Sequence, residues 1–259
     1  MQTVLFTSTI FGPIHSRRLG TSLGVNLTPR DGKICTFDCL YCEAGFNAQG
    51  PGTSGMPARE EVARLLEEKL AAMKAEGATL DVITFSGNGE PTIHPQFEGV
   101  IDDTLALRDR YFPDAKVSVL SNSTMLGREE VCRALRRVDN NILKLDSAIT
   151  STMRAMDCPG NGGLTSEQIV EMIRPFGREC IVQTMMLRGE YDSVEIDNTT
   201  PAEVEALIGA YKAIGPAEVM LYSIDRKTPA ENLRKVPIEE LQAIAARITA
   251  ATGIKVVTC

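Results

Sequence analysis

Asp81-Val-Ile-Thr-Phe-Ser86-Gly-Asn-Gly-Glu90-Pro91-Thr92 joins a near-continuous apolar run to a glycine-rich turn. A run this short, bounded by a turn signal, reads as a strand covered on both faces. Just upstream, Val62, Leu65, Leu66, Leu70 and Met73 recur at spacings of three and four, the stripe of a helix facing a core. The same alternation extends outward in both directions. Candidate strands lie at 23–27, 81–86, 116–121, 141–146, 181–187 and 218–224. Helical stripes fall between and after them: Val131, Leu135 and Val138; Ile169, Val170, Ile173 and Phe176; Val204, Leu207, Ile208 and Tyr211; Leu241, Ile244, Ala245 and Ile248. Pro57 and Pro201 suit a first helical turn, and Thr200 suits an N-cap. Strand, crossover helix and strand, repeated, imply parallel pairing with right-handed connections. The expectation is an α/β fold in one domain spanning residues 1–259. Chemistry in such folds collects at the carboxyl ends of the strands.

The 259 residues include 27 Lys and Arg against 34 Asp and Glu, a net charge of −7. Hydrophobic residues at 43% and charged residues at 24% are ordinary globular values and argue against disorder. No apolar run approaches the roughly 20 residues that span a bilayer, and residues 1–20 lack a signal-peptide layout. Seven cysteines, an odd number, then fit reduced thiols or metal ligands better than a disulfide framework. A cytoplasmic protein is expected, with no membrane partner.

Three of those cysteines lie in Gly32-Lys-Ile-Cys35-Thr-Phe-Asp-Cys39-Leu-Tyr41-Cys42, directly after the first candidate strand. Thiolates so spaced can converge on one metal centre. A zinc knuckle closes its tetrahedron with a fourth Cys or His, and the only histidines are His15 and His94. A 4Fe–4S cube held by three thiolates keeps one iron open for substrate or cofactor.

The Cys-x3-Cys-x2-Cys spacing, with Tyr41 before the last cysteine, resembles the radical S-adenosylmethionine (SAM) superfamily. The turn Gly87-Asn88-Gly89-Glu90-Pro91 resembles that superfamily's Gly-Gly-Glu-Pro motif. The resemblance implies a partial (β/α)6 barrel of parallel strands, open on one side. It implies a 4Fe–4S cluster on Cys35, Cys39 and Cys42, with SAM on its open iron. Backbone at Gly87, Asn88 and Gly89 and the Glu90 carboxylate would receive the methionyl ammonium, since glycine permits close approach and a carboxylate complements a cation. It further implies reductive cleavage of SAM to a 5′-deoxyadenosyl radical, with flavodoxin or ferredoxin as electron donor. Gly12-Pro13-x-x-Ser16-Arg17-Arg18-Leu19-Gly20 and Phe37-Asp38-Cys39 resemble, more narrowly, a short group classed beside the wyosine-synthesis enzymes. No cysteine precedes Cys35, however, whereas wyosine synthases carry a second set upstream.

Other positions have two readings. Ser121 and Asn122 end the third strand, as SAM contacts or as an ordinary turn. Lys144 and Asp146 alternate along the fourth strand and share a face, where they pair or meet a ligand; contact to ribose or carboxylate is the favoured expectation. Met185, Leu187, Arg188 and Gly189 are the nearest approach to an adenine motif. Cys132 and Cys180 read as packing, His94 as a structural hydrogen-bonder, and Cys158 as a loop residue within reach of substrate. The substrate is a small molecule enclosed by loops or a macromolecule closing the open side. Net charge disfavours tRNA, and a patch of Arg17, Arg18, Lys33 and Arg188 is the route by which tRNA would bind. A non-catalytic iron–sulfur or zinc-binding protein is the competing class.

Overall fold

The computed structural model describes residues 4–16 and 20–259. In chain order the elements are β1 (Ile10–Ser16), β2 (Gly20–Val25), α1 (Arg59–Ala75), β3 (Val82–Phe85), α2 (Phe97–Tyr111), β4 (Lys116–Ser121), α3 (Glu129–Leu135), β5 (Asn140–Lys144), α4 (Thr150–Asp157), α5 (Ser166–Ile173), β6 (Ile181–Tyr191), β7 (Val194–Asp197), α6 (Pro201–Ile214), β8 (Glu218–Ser223), β9 (Leu233–Lys235), α7 (Ile238–Thr252) and β10 (Lys255–Thr258). The main sheet runs β1-β2-β3-β4-β5-β6-β8-β10. Every pair from β2 to β10 is parallel, and β1 lies antiparallel on β2. No pairing joins β1 to β10 among the described residues, so the sheet curves as an open, partial barrel. Six expected strands thus form one continuous parallel run, with β1 and β10 added at its edges.

The two faces of that sheet differ. Leu23, Val25, Ile83, Phe85, Val117, Val119, Leu143, Val182, Val219 and Leu221 face the helices and form one apolar core with them. The alternate positions mix Ser22, Thr84, Ser118, Asn140 and Gln183 with Val82, Ile142 and Met220. There the Ser22 and Thr84 hydroxyls meet at 2.8 Å, and Asn140 Nδ2 donates to Ser118 Oγ at 2.8 Å. Both faces are covered, as expected, but the inner one mixes polar with apolar side chains where the helix side is apolar. A single Thr84 within Val-Ile-Thr-Phe is too little to break an apolar run, yet strand alternation aims it inward.

Boundaries shift as well. The strand expected at 23–27 begins at Gly20, Leu145 and Asp146 lie beyond β5, and β6 continues to Tyr191. β7 and β9 pair antiparallel with that extension of β6, so the chain turns back over the carboxyl end of the sheet. Beneath it Leu40, Met156, Met185, Leu187, Ile196 and Ala230 form a second, smaller apolar cluster. Pro57 lies outside α1, whose N-cap position is Ala58. Pro201 does open α6, and the Thr200 side chain accepts from Glu203 N. No helix among the described residues is long and apolar enough to cross a membrane.

Candidate functional site

The loop that leaves β2 is braced by its own polar groups. Lys33 Nζ donates to Asp38 Oδ1 at 3.2 Å and to the Gly45 carbonyl at 2.7 Å. Asp38 Oδ1 also accepts from Asn47 N at 2.7 Å, and Asn47 Nδ2 donates to the Phe37 carbonyl at 3.1 Å. Cys42 N closes a tight turn onto the Cys39 carbonyl at 3.0 Å. Asp38 N and Leu40 N donate to the carbonyls of Asp157 and Met156, each at 2.9 Å, tying the loop to the end of α4. Cys35, Cys39 and Cys42 therefore ride on a scaffold fixed at both margins. Burial, with the Glu90 charge adding to it, pushes the Cys35 thiol up to about 11. Burial raises Cys39 well above the ordinary thiol range, while Lys144 pulls the other way. Metal binding at these sulfurs must release protons.

Three thiolates are one short of the four ligands that close a structural zinc tetrahedron. A 4Fe–4S cube offers a separate iron to each sulfur, and three sulfurs on one braced loop suit it.

The turn after β3 seats against this loop. Ile34 and Gly89 form an isolated parallel bridge, and Glu90 N donates to the Ile34 carbonyl at 3.0 Å. A Cβ at Gly89 would stand 1.8 Å from that oxygen, and one at Gly87 would stand 2.3 Å from Asn26 Oδ1. Asn88, fully buried, accepts from Phe6 N at 2.8 Å and donates to the carbonyls of Phe6 and Pro29, both at 2.9 Å. The two glycines thus make room for the chain's own atoms, where the sequence suggested room for a ligand. Glu90 is also turned inward. Its Oε1 accepts from Thr92 N at 3.1 Å and from the Thr92 hydroxyl, and Oε2 accepts from Asn122 N at 2.7 Å. Burial raises its pKa against the pull of these donors. The carboxylate expected to meet an ammonium is occupied in joining the turn to the end of β4.

Asn122 carries the connection further. Its Nδ2 donates to Thr36 Oγ1 at 2.7 Å and lies 3.5 Å from Cys35 Sγ, while Oδ1 accepts from the Thr124 hydroxyl at 2.7 Å. Ser121 Oγ accepts from Ser123 N at 3.1 Å.

On the far side of the loop, Lys144 Nζ sits 2.6 Å from Asp157 Oδ1, 3.2 Å from Asp146 Oδ2 and 2.9 Å from Cys39 Sγ. Asp146 also accepts from the Tyr41 hydroxyl and from Met185 N at 2.9 Å. The nearby carboxylates, outweighing burial, hold the Lys144 ammonium charged. Burial pushes the Asp157 carboxyl up to about 7, with Lys144 opposing. Lys144 and Asp146 do share a face, but they pair with each other; the expected contact to ribose or carboxylate would have to break these bonds.

Residues 31–199 match the model of the Radical SAM superfamily. The chain belongs to this superfamily. It is 29% identical over 244 residues to a protein named GTPase Obg from Brachyspira hyodysenteriae, an overlap of 92% of this chain and 33% of that one. It is 29% identical over 220 residues to a UPF0026 protein from Helicobacter pylori, covering 84% of this chain and 66% of the relative. Among solved structures, a radical SAM methyltransferase from Sphaerobacter thermophilus superposes with a TM-score of 0.66 at 16% identity, covering 92% of this chain and 65% of that one. The chain spans from a third to about two thirds of these proteins' lengths, and the structural likeness speaks for the fold alone. Radical SAM enzymes use a 4Fe–4S cluster and SAM, and they need a reductant and a substrate.

Within the radical SAM fold, the remaining candidates are engaged by the chain itself. Arg188 gives its guanidinium to Glu240, to Thr199 and to Asp197 at 3.2 Å, so its charge is already paired within the chain. Cys158 caps α4 in a left-handed conformation, φ 42°, packed on the second apolar cluster. Cys180 is buried and its thiol is pushed up to about 12, while Cys132 donates to the Leu126 carbonyl at 3.1 Å. His94 is a structural hydrogen-bonder: it is buried, with Nε2 2.8 Å from the Pro57 carbonyl. Arg17 and Arg18 lie outside the described residues. Thr36, Asn47 and Asp157 went unnoticed in the sequence because their roles rest on partners distant along the chain. A cavity of about 750 Å³ opens beside Cys35, lined also by Thr36, Thr124, Gly160, Leu164 and Met172.

Proposed function

We propose that this chain is a radical SAM enzyme acting as one core domain, which cleaves SAM reductively and abstracts hydrogen from a substrate C–H bond. The observation that carries this reading is the seating of the three-cysteine loop on the Gly87–Pro91 turn, through Ile34 and Gly89, at the carboxyl end of a parallel sheet. Cys35, Cys39 and Cys42 would hold the cluster. Backbone groups of Gly87, Asn88 and Gly89 would meet the methionyl end of SAM, with Ser121 and Asn122 beside them. Held there, the cluster would supply the electron for reductive cleavage of SAM into methionine and a 5′-deoxyadenosyl fragment. The chain's part is to hold, orient and keep dry. The β6–β7 hairpin, the added strand β9 and the apolar cluster beneath them serve the last of these by limiting water near Tyr41 and Met185.

A flavodoxin or ferredoxin is the reductant in this reading. The substrate is a small molecule or a macromolecule, with tRNA disfavoured. Two members of the basic patch that would favour tRNA are committed elsewhere: Lys33 is 4% exposed and paired with Asp38, and Arg188 is bound to Glu240.

Anaerobic reconstitution with iron and sulfide tests the proposal. It should yield a broad absorbance near roughly 400 nm and about four irons per chain. Addition of dithionite and SAM should then release 5′-deoxyadenosine. A colourless protein that retains zinc overturns the reading in favour of a structural metal site.

A further inference from the structure

The ammonium of Lys144 is in direct contact with the sulfur of one of the three loop cysteines. It lies 2.9 Å from Cys39 Sγ, with Asp157 Oδ1 at 2.6 Å and Asp146 Oδ2 at 3.2 Å. The rings of Phe37 and Tyr41 flank it, with centroids 5.1 and 4.8 Å from Nζ. Its side chain is 13% exposed, Asp157 is 1% exposed and Asp146 is fully covered. Burying one cation with two carboxylates carries a desolvation penalty that well-packed apolar side chains would avoid. Such an arrangement therefore has work to do beyond stability.

Its placement indicates what that work is. A donor held against a ligating sulfur withdraws electron density from the metal centre and stabilises its reduced form. Asp146 is already engaged by Tyr41 and Met185, so it acts as a fixed anchor. Asp157, at the last residue of α4, is the counter-charge that aims the ammonium while moderating its field. We propose that Lys144 is a positioning residue for the cluster, donating to the Cys39 sulfur and raising the potential at which the cluster accepts an electron, with Asp157 setting the extent. This rests on the radical SAM reading and adds to it a tuning device built from β5 and α4.

The test is a redox titration of the anaerobically reconstituted holoprotein, without SAM, followed by electron paramagnetic resonance. Leaving SAM out separates tuning of the cluster from any contact with the cofactor. Lys144→Met should shift the midpoint to more negative potential, since it removes the donor and its charge. Asp157→Asn should shift it to more positive potential, since the donor stays and a counter-charge is lost. Opposite signs for the two variants are the expected signature, which a purely structural role would not produce. If Lys144→Met fails to assemble a cluster, the positive shift in Asp157→Asn alone decides. Midpoints equal to wild type, or shifts of the same sign, overturn the inference while leaving the functional reading intact. A wild-type chain that assembles no 4Fe–4S cluster overturns both.

Discussion

Gly89 and Ile34 meet in a single parallel bridge, so close that a Cβ at residue 89 would lie 1.8 Å from the Ile34 carbonyl oxygen. Through this contact the cysteine loop and the turn after β3 become one surface. Gly89→Ala should therefore displace the loop, with an overpacking cost of about 1–3 kcal/mol. Gly127→Ala is the matched control, because nothing lies within 4 Å of its added methyl. Urea melts of the metal-free proteins and iron content after reconstitution should both fall for the first variant and stay level for the second.

Glu90→Gln tests the role of a carboxylate that accepts from Thr92 N, the Thr92 hydroxyl and Asn122 N. Whichever way the new amide turns, its NH2 faces a backbone donor. One buried N–H then loses its acceptor, a cost of about 1–3 kcal/mol. The expected loss of stability appears in metal-free protein. A variant as stable as wild type, but with weakened SAM binding, would restore the ammonium contact read from the sequence.

Replacement of Cys35, Cys39 or Cys42 by Ala should abolish cluster assembly, while Cys132→Ala, Cys180→Ala and Cys259→Ala should retain it. Iron analysis and absorbance distinguish the two sets. In native metal-free protein, Cys180 should also resist alkylation near neutral pH, because burial holds its thiol at about 12 and only thiolate reacts. Rapid labelling at Cys180 before unfolding would contradict its buried placement.

His94 should give stability a pH dependence of defined sign. Nε2 faces the Pro57 carbonyl at 2.8 Å, and Nδ1 accepts from Gln96 N at 3.2 Å, a pattern that suits the neutral ring. Burial lowers its pKa below the ordinary 6.5. Below 6.5 the unfolded chain takes the proton before the folded one does, so stability is full above that pH and declines as pH falls through the window beneath it. Denaturant midpoints measured from about pH 8 down to about pH 5 should show this decline, and His94→Gln should lack that part of it. Parallel curves for the two proteins would remove His94 from the account.

Legibility in the sequence followed the range of the interaction. Val82, Ile83 and Phe85 announced a strand, and Leu66 and Leu70 a helix, because periods of two and 3.6 are imposed by neighbours on the same element. Short elements escaped. β9 has only three residues, and α4 buries just Met153, Met156 and Asp157 among Thr, Ser and Arg, too little apolar pattern for a period to register. α2 was missed although it has 15 residues, since its buried Phe97, Val100, Ile101 and Thr104 are diluted by Glu and Asp.

By itself, the sequence determined the parallel α/β alternation and the three-cysteine loop, and with them the superfamily and its cofactors. Each of these is written in residues adjacent or periodically spaced along one segment. Only the tertiary structure decided that Glu90 turns inward to Asn122, that the glycines of the turn accommodate Ile34 and Asn26, and that the inner face of the sheet gathers Ser22, Thr84 and Ser118 among apolar side chains. It alone brought Lys144 to Cys39, 105 residues away in the chain. A buried charge takes its role from the groups that replace its water, and which groups those are depends on how β5, α4 and the cysteine loop pack, not on the residues beside it in sequence.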